Sequence, residues 1–320
     1  MIIFALPPHE RLSRAIARAL RARVGRVELR VFSDGERYVR PMTVVRSQDV
    51  VVIANTGPDA GALLDLLILL HAIRSSGARR TTLVIPYLAY ARQDRATKPQ
   101  EPVTAILVAR LLESAGADRV VLVDPHSEAA VRTFRIPVRV VDPLPTLANP
   151  RHLSPSLRGG VGGGARDRDR RPVVVAPDAG ARDRARRLAA LLGARDIVVL
   201  EKARPRPNVA RVALRSADRA RVRGGAVLLV DDMIDTAGTI TAAAQRLRAA
   251  GATRIAILAT HAVLSGPALV RLRRARIDRI IVSDSLPSPR RSLRRRRALR
   301  TVSLAPALTQ ALQMTYRKKR

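Results

Sequence analysis

Residues 227–241 read VLLVDDMIDTAGTIT. Asp231, Asp232 and Asp235 fall within five positions, after four apolar residues and before the turn Thr236-Ala237-Gly238-Thr239. In open parallel sheets, ligands collect beyond the carboxyl ends of the strands, and VLLV followed by DDMIDTAGT has the form of a buried strand ending at such a place. Amides at the start of the next helix point outward with threonine hydroxyls beside them, which makes a cradle for a phosphate. The carboxylates repel the phosphate itself. They suit groups that donate hydrogen bonds, such as sugar hydroxyls, or a bound Mg²⁺. Cradle and acids together read as a site for a phosphorylated sugar.

The elements around this segment alternate. Short β-branched runs at 50–54, 82–85, 120–123, 173–176, 197–200, 227–230, 255–259 and 280–282 predict strands. Stretches of helical period at 61–75, 103–114, 182–192 and 240–250 predict helices between them. Strands alternating with helices imply an α/β protein whose parallel sheets are covered on both faces. AGADRVVLVDPH (115–126) echoes AGATRIAILATH (250–261), and GARRTTLVIPY (77–87) is a fainter third copy. Copies that far apart point to two similar, doubly wound domains, each with a mostly parallel sheet. The proline-rich stretch PLPTLANP (143–150) places the boundary, giving domains 1–146 and 147–320. GGVGGGARDRDRR (159–171) lacks the Gly-Lys-Ser/Thr ending of a P-loop and reads as a surface insertion.

Composition narrows the chemistry. The chain has 320 residues and no cysteine, which removes disulfides, thiolate metal sites and a cysteine nucleophile. No signal peptide and no run long enough to span a bilayer is present, so the expectation is a soluble cytoplasmic protein without a membrane partner. A formal charge of +33 raises a nucleic-acid partner. The basic residues, however, are 55 arginines dispersed along the chain and four lysines, at 98, 202, 318 and 319. Dispersed arginine reads as coding bias rather than as a binding face, so nucleic acid is set aside as the main partner. The densest cluster, RRSLRRRR (290–297), reads as a solvated segment.

FSDGERYV, IPYLAYARQDR, VLVDPHS, APDAGARDRAR, EKARPRPNV and VDDMIDTAGT follow one another from residue 32 to 239. In this order and spacing they resemble the ribose-phosphate pyrophosphokinase family, across nearly the whole chain. The resemblance implies two domains of phosphoribosyltransferase type, with ATP and ribose 5-phosphate as substrates and Mg²⁺ as cofactor. It implies an ATP site built from Phe32, Asp34, Glu36, Arg92, Gln93, Asp94 and His126. Phe32 would stack on adenine, the two acids would accept from its amino group, and Arg92 would pair with phosphate oxygens. His126 and Asp178 would serve Mg²⁺. Asp231, Asp232, Asp235, Thr236, Ala237, Gly238 and Thr239 would hold ribose 5-phosphate. Lys202 and Arg204, in a stretch that reads as an exposed loop, would neutralise charge on the transferred group. A lysine kept where arginine is the default cation selects a compact ammonium there. The resemblance also implies a homo-oligomer, commonly a hexamer.

Three departures from the family pattern stand out. Ala237 replaces a glycine of the phosphate loop, and Ala181 a glycine after the metal aspartate. If either position requires positive φ, alanine costs about 1 kcal/mol or more. EAAVRTF (128–134) replaces a glutamine-rich stretch. Two other readings use the same features. A non-catalytic regulatory homologue is disfavoured by the presence of Lys202, Arg204, His126 and Asp178. A phosphoribosyltransferase needs one domain and no ATP site.

Overall fold

The computed structural model describes residues 1–57, 59–153, 171–206, 209–287 and 299–316, without the side chains of 202–206 and 209–211. The insertion at 159–171, apart from Arg171, and the arginine cluster at 290–297 therefore lie outside the described residues.

The described strands are β1 (Ile2–Ala5), β2 (Arg23–Val24), β3 (Val27–Val31), β4 (Arg37–Pro41), β5 (Asp49–Ile53), β6 (Arg80–Ile85), β7 (Arg119–Val123) and β8 (Val138–Val141), then β9 (Val173–Ala176), β10 (Asp196–Val199), β11 (Glu201–Arg206), β12 (Val209–Ala213), β13 (Ala226–Ile234), β14 (Arg254–Ala262), β15 (Arg279–Ser283) and β16 (Leu299–Val302). The described α-helices are α1 (Glu10–Leu20), α2 (Ala60–Ser75), α3 (Thr104–Ala115), α4 (Glu128–Arg132), α5 (Leu144–Leu147), α6 (Arg182–Leu192), α7 (Ser216–Val222), α8 (Gly238–Ala249), α9 (Ala268–Arg274) and α10 (Ala305–Tyr316).

Two sheets of six strands result, ordered β2-β1-β5-β6-β7-β8 and β10-β9-β13-β14-β15-β16. Every pairing within them is parallel. An antiparallel hairpin, β3–β4 or β11–β12, is inserted after the second strand of each. The wiring of the two sheets is thus identical. In both, the order reverses beside the first strand, between β1 and β5 or between β9 and β13, which are the switch points where such sheets bind ligands.

This identity corrects the sequence echo. The segment 115–126 forms β7, the fifth strand of its sheet, whereas 250–261 forms β14, the fourth of the other. The counterpart of β14 is β6, in the fainter copy at 77–87. The stronger echo is local grammar: a helix ended by Gly116 or Gly251 at positive φ, followed by a strand buried on both faces.

Burial on both faces explains the unbroken apolar runs. Ile2 and Phe4 enter one core and Ile3 the other; Val173 and Val175 are divided from Val174 and Ala176 in the same way. Each hairpin departs from this rule. Arg37, on β4, donates two hydrogen bonds of 2.5 Å to the buried Asp65 of α2, a bidentate pair that ties β3–β4 to the helix. EKARPRPNV, expected as a loop, forms most of β11–β12. The VARVA of β12 alternates with strand period, and the register between Ala203 and Arg206 is irregular around Pro205, where a ladder tolerates proline.

The chain divides into one unit of residues 1–142 with 303–320 and a second of 143–302. The expected boundary after residue 146 therefore shifts. Leu144 and Leu147 of α5 pack against Val174 and Leu188 in the second unit. The C-terminal segment returns to the first unit, where Leu304, Leu308 and Leu312 meet Ile3, Leu12 and Ile16. Among the described residues, no helix is long and apolar enough to cross a membrane.

Leu308 is fully buried, so Leu308→Ala is expected to cost roughly 2–5 kcal/mol. Urea unfolding followed by circular dichroism measures this, and an unchanged midpoint would contradict the packing of α10 on the first unit.

Candidate active site

At the switch point of the second unit, β9 pairs directly with β13. Asp178 lies two residues beyond β9, and its carboxylate accepts from Gly180 N at 3.1 Å. Asp231 and Asp232 were expected at a strand tip. Instead β13 runs on to Ile234, paired with Ala262, so both acids lie inside the strand. Burial pushes the Asp231 carboxyl well above its ordinary range, and the charges of Asp232 and Asp178 add to the shift. The Asp232 amide donates to Asp231 Oδ1 at 2.9 Å and offsets part of it. Asp232 and Asp178 thus both favour the protonated form of Asp231.

The phosphate loop follows at once. Ala237 has φ +60° and stands at the N-terminus of α8, so alanine there bears the left-handed strain, about 1–2 kcal/mol. Ala181, at φ −87°, bears none. The loop is tied down on one side: Ser265 Oγ donates to Asp235, Leu264 N to Ile234 O at 2.9 Å, and Arg271 Nη1 to Thr236 O at 3.0 Å. First-turn amides of a helix have no partner within it and remain available to an anion. Beside Asp178, a cleft of about 940 Å³ opens between Gly180, Arg182, Val199, Glu201 and Arg215. Glu201 begins β11, which carries Lys202 opposite Val212. The side chains of Lys202 and Arg204 lie outside the described residues.

In the first unit, the ARQD and DPHS segments meet. Ser127 Oγ donates to Asp94, and Thr104 Oγ1, at the start of α3, donates to Gln93 Oε1 at 2.5 Å. Arg92 and His126 are both exposed. FSDGE forms the head of the β3–β4 hairpin. Gly35 turns at φ +93°, Asp34 accepts from Glu36 N at 3.0 Å, and Phe32 stands 49% exposed with its edge toward Tyr38. Tyr90, which precedes ARQD, and Asp124, which opens DPHS, hold positive φ of 65° and 45°. Like Ala237, they place backbone strain beside candidate functional residues. Among the described residues no group of three metal-ligating side chains occurs. His126 belongs to the first unit and Asp178 to the second.

Sequence reasoning missed the residues beneath ARQD. At the end of β5, Asn55 Oδ1 accepts from Tyr87 N and Thr56 Oγ1 from Ala89 N, each at 2.8 Å. Gly57 lies so close to Ala89 that a Cβ would approach its methyl to 2.8 Å. Asp59 caps α2, the counterpart of α8, with its own carboxylate on Gly61 N. The switch point of the first unit is thereby filled by its own chain. His9, 1% exposed, closes the other side; burial lowers its pKa from 6.5 to about 4 against a hydrogen bond with Asn55.

Known proteins match this arrangement over its full length. A model of the N-terminal domain of ribose phosphate pyrophosphokinase matches residues 1–116, and a phosphoribosyl synthetase-associated domain matches 217–320. A ribose-phosphate pyrophosphokinase of Clostridium perfringens is 39% identical, over 98% of this chain and 94% of the relative. One from Aquifex aeolicus is 38% identical over 97% and 94%. The chain belongs to the ribose-phosphate pyrophosphokinase family. The crystal structure of the phosphoribosylpyrophosphate synthetase from Mycobacterium smegmatis superposes on it with a TM-score of 0.84 at 33% identity, covering 98% of each chain. The two parallel sheets expected of this family are both present. Within the segment 128–134, Glu128–Arg132 folds as α4, capped by Ser127 Oγ accepting from Ala130 N at 3.0 Å.

Two outcomes follow from these charges. The unfolded chain protonates His9 near pH 6.5 and the folded one only near 4, so the unfolded state binds more protons between those values. Stability should rise across that window and lose roughly 3 kcal/mol from His9 below it. His9→Gln should flatten the urea midpoint measured from pH 7 to 4; an unaltered slope would show that other groups set it. Asp231 has the opposite sign: its raised pKa favours the folded state at low pH and costs stability as pH rises past it. Asp231→Asn is therefore expected to raise the melting temperature of the ligand-free protein at pH 8, read by calorimetry, while weakening ligand binding. A lower melting temperature would mean that the carboxylate is stabilising.

Proposed function

We propose that the protein is a ribose-phosphate diphosphokinase, making phosphoribosyl diphosphate and AMP from ribose 5-phosphate and MgATP. The observation that carries this reading is the pairing of the partly buried Asp231 and Asp232 with a strained loop at a helix start, at one switch point, in a chain of this family throughout. Asp231 and Asp232 accept hydrogen bonds from the ribose hydroxyls, and residues 235–239 receive the 5-phosphate. In the first unit, Phe32, Asp34 and Glu36 take the adenine, and Arg92, Gln93, Asp94 and His126 the phosphates.

The anomeric oxygen attacks the β-phosphorus of ATP. The new oxygen–phosphorus bond forms as the bridge to the α-phosphorus breaks, AMP departs with that bridging oxygen, and the hydroxyl proton is lost to solvent. Positioning and charge neutralisation carry such a transfer, with Lys202 and Arg204 meeting the charge that builds on the β-phosphoryl group. Carboxylate oxygens such as those of Asp178 suit a hard cation whose shell is completed by water and substrate oxygens. Asp178 in the second unit would serve Mg²⁺ with waters and substrate oxygens, as would His126 in the first, and the ion would supply neutralisation of the phosphate charge. The reading includes a cytoplasmic location and assembly into a homo-oligomer, commonly a hexamer in the family. Exposed Val31, Phe32 and Val44 on the first unit support the assembly.

Purified protein given MgATP and ribose 5-phosphate should release AMP, dependent on both the sugar and Mg²⁺. Release of ADP would identify γ-phosphoryl transfer and sink the mechanism. Lys202→Ala should lower single-turnover rates about 100- to 1000-fold with little change in either Michaelis constant. A normal chemical step with weaker ATP binding would remove Lys202 from the transition state.

A further inference from the structure

The phosphate loop has a charge problem that its own residues do not solve. A sugar phosphate carries about −1.5 to −2 at neutral pH, and residues 235–239 are Asp-Thr-Ala-Gly-Thr, with Asp231 and Asp232 just upstream. Helix-start amides supply a partial positive charge only. The guanidinium that touches this loop is that of Arg271, partly buried on α9. Its Nη1 donates to Thr236 O at 3.0 Å and lies 3.4 Å from where a Cβ on Gly238 would stand.

We propose that Arg271 is a positioning residue of the sugar-phosphate site, orienting the loop amides and supplying the cation the loop lacks. The planar trans peptide gives the reason. Carbonyl and N–H of one peptide point in opposite directions, so holding Thr236 O toward Arg271 turns the Ala237 N–H away from it, toward the opposite face of the loop. The same bond sits one residue before the strained φ of Ala237 and helps hold the turn in that conformation. Ser265 on Asp235 and Leu264 on Ile234 tie the preceding residues to the same segment, 264–271, so Arg271 completes a continuous backing of the loop. An Arg with one donor fixed on a carbonyl keeps its full charge and its other donors. The charge therefore stays beside the cradle whether or not the anion is bound.

The inference rests on reading 235–239 as the phosphate cradle, and the test separates the two. Calorimetric titration of ribose 5-phosphate into the protein, without ATP, should show affinity reduced roughly 10- to 100-fold in Arg271→Met, the range for a charge-assisted hydrogen bond. In turnover, the Michaelis constant for ribose 5-phosphate should rise by a similar factor while that for MgATP stays level. A merely structural role would move both constants together. Wild-type affinity in a folded Arg271→Met, or an equal rise in both constants, overturns the proposal. If that variant is insoluble, Arg271→Lys decides: weaker ribose 5-phosphate binding supports the guanidinium bond to Thr236, and wild-type binding overturns it. Failure of the wild-type protein to form AMP would count against the functional reading alone, because the calorimetric comparison still decides the role of Arg271.

Discussion

The placing of Asp231 beside Asp232 and Asp178, where β9 pairs with β13, is the constraint on which the candidate site of the second unit depends. Packing β9 against β13 brings the three carboxylates to one crevice, and burial there raises the proton affinity of Asp231. Such a cluster is costly by itself and becomes favourable when hydroxyl donors or a cation enter. The surroundings answer that demand in order: a helix start that faces an anion, a cleft beside Asp178 with Arg182 and Arg215 in its wall, and the backing segment 264–271. The strain at Ala237 belongs to the same economy, since a loop held against its preference needs neighbours that over-determine it.

The two sheets share one wiring and have put it to different uses. In the second unit the switch point carries Asp178, Asp231 and Asp232. In the first, the equivalent place is sealed by Asn55, Thr56, Gly57 and Asp59, each satisfied by backbone or close packing. The candidate residues of the first unit lie one strand further along, at the ends of β6 and β7, where Asp94 and Ser127 join the ARQD and DPHS segments. A filled crevice thus becomes the foundation for the neighbouring loop.

Much of the fold was legible because fully buried parallel strands must be continuous apolar runs. All eight expected strands occur, with ends shifted by a few residues. β1, the run IIFA, carries that signature and was still passed over, whereas other elements that escaped reading lack it. β2 has two exposed residues, β16 is four residues long, and β3 with β4 alternates arginine and apolar side chains as any solvated segment of this chain does. The return of the C-terminal helix to the first unit follows from long-range packing of Leu304, Leu308 and Leu312, to which no local pattern corresponds. At the site, residue types in the strand-end motifs were readable. Arg271 was not, being one of 55 arginines with nothing local to distinguish it. Asn55 and Thr56 act through backbone amides some thirty residues away, a relation that exists only once β5 and β6 are paired.

Because residues 303–320 complete the core begun by residues 1–142, the second unit is an insertion within the first. A ribosome releases the N-terminal residue first and α10 last, so the apolar face of Ile3, Leu12 and Ile16 stays uncovered while the other 160 residues are made. The inserted unit has a continuous chain and all its strands before α10 emerges. The first unit can therefore complete its core only after the whole chain of the second has been made. The interval in between exposes an aliphatic surface of the kind that chaperones hold.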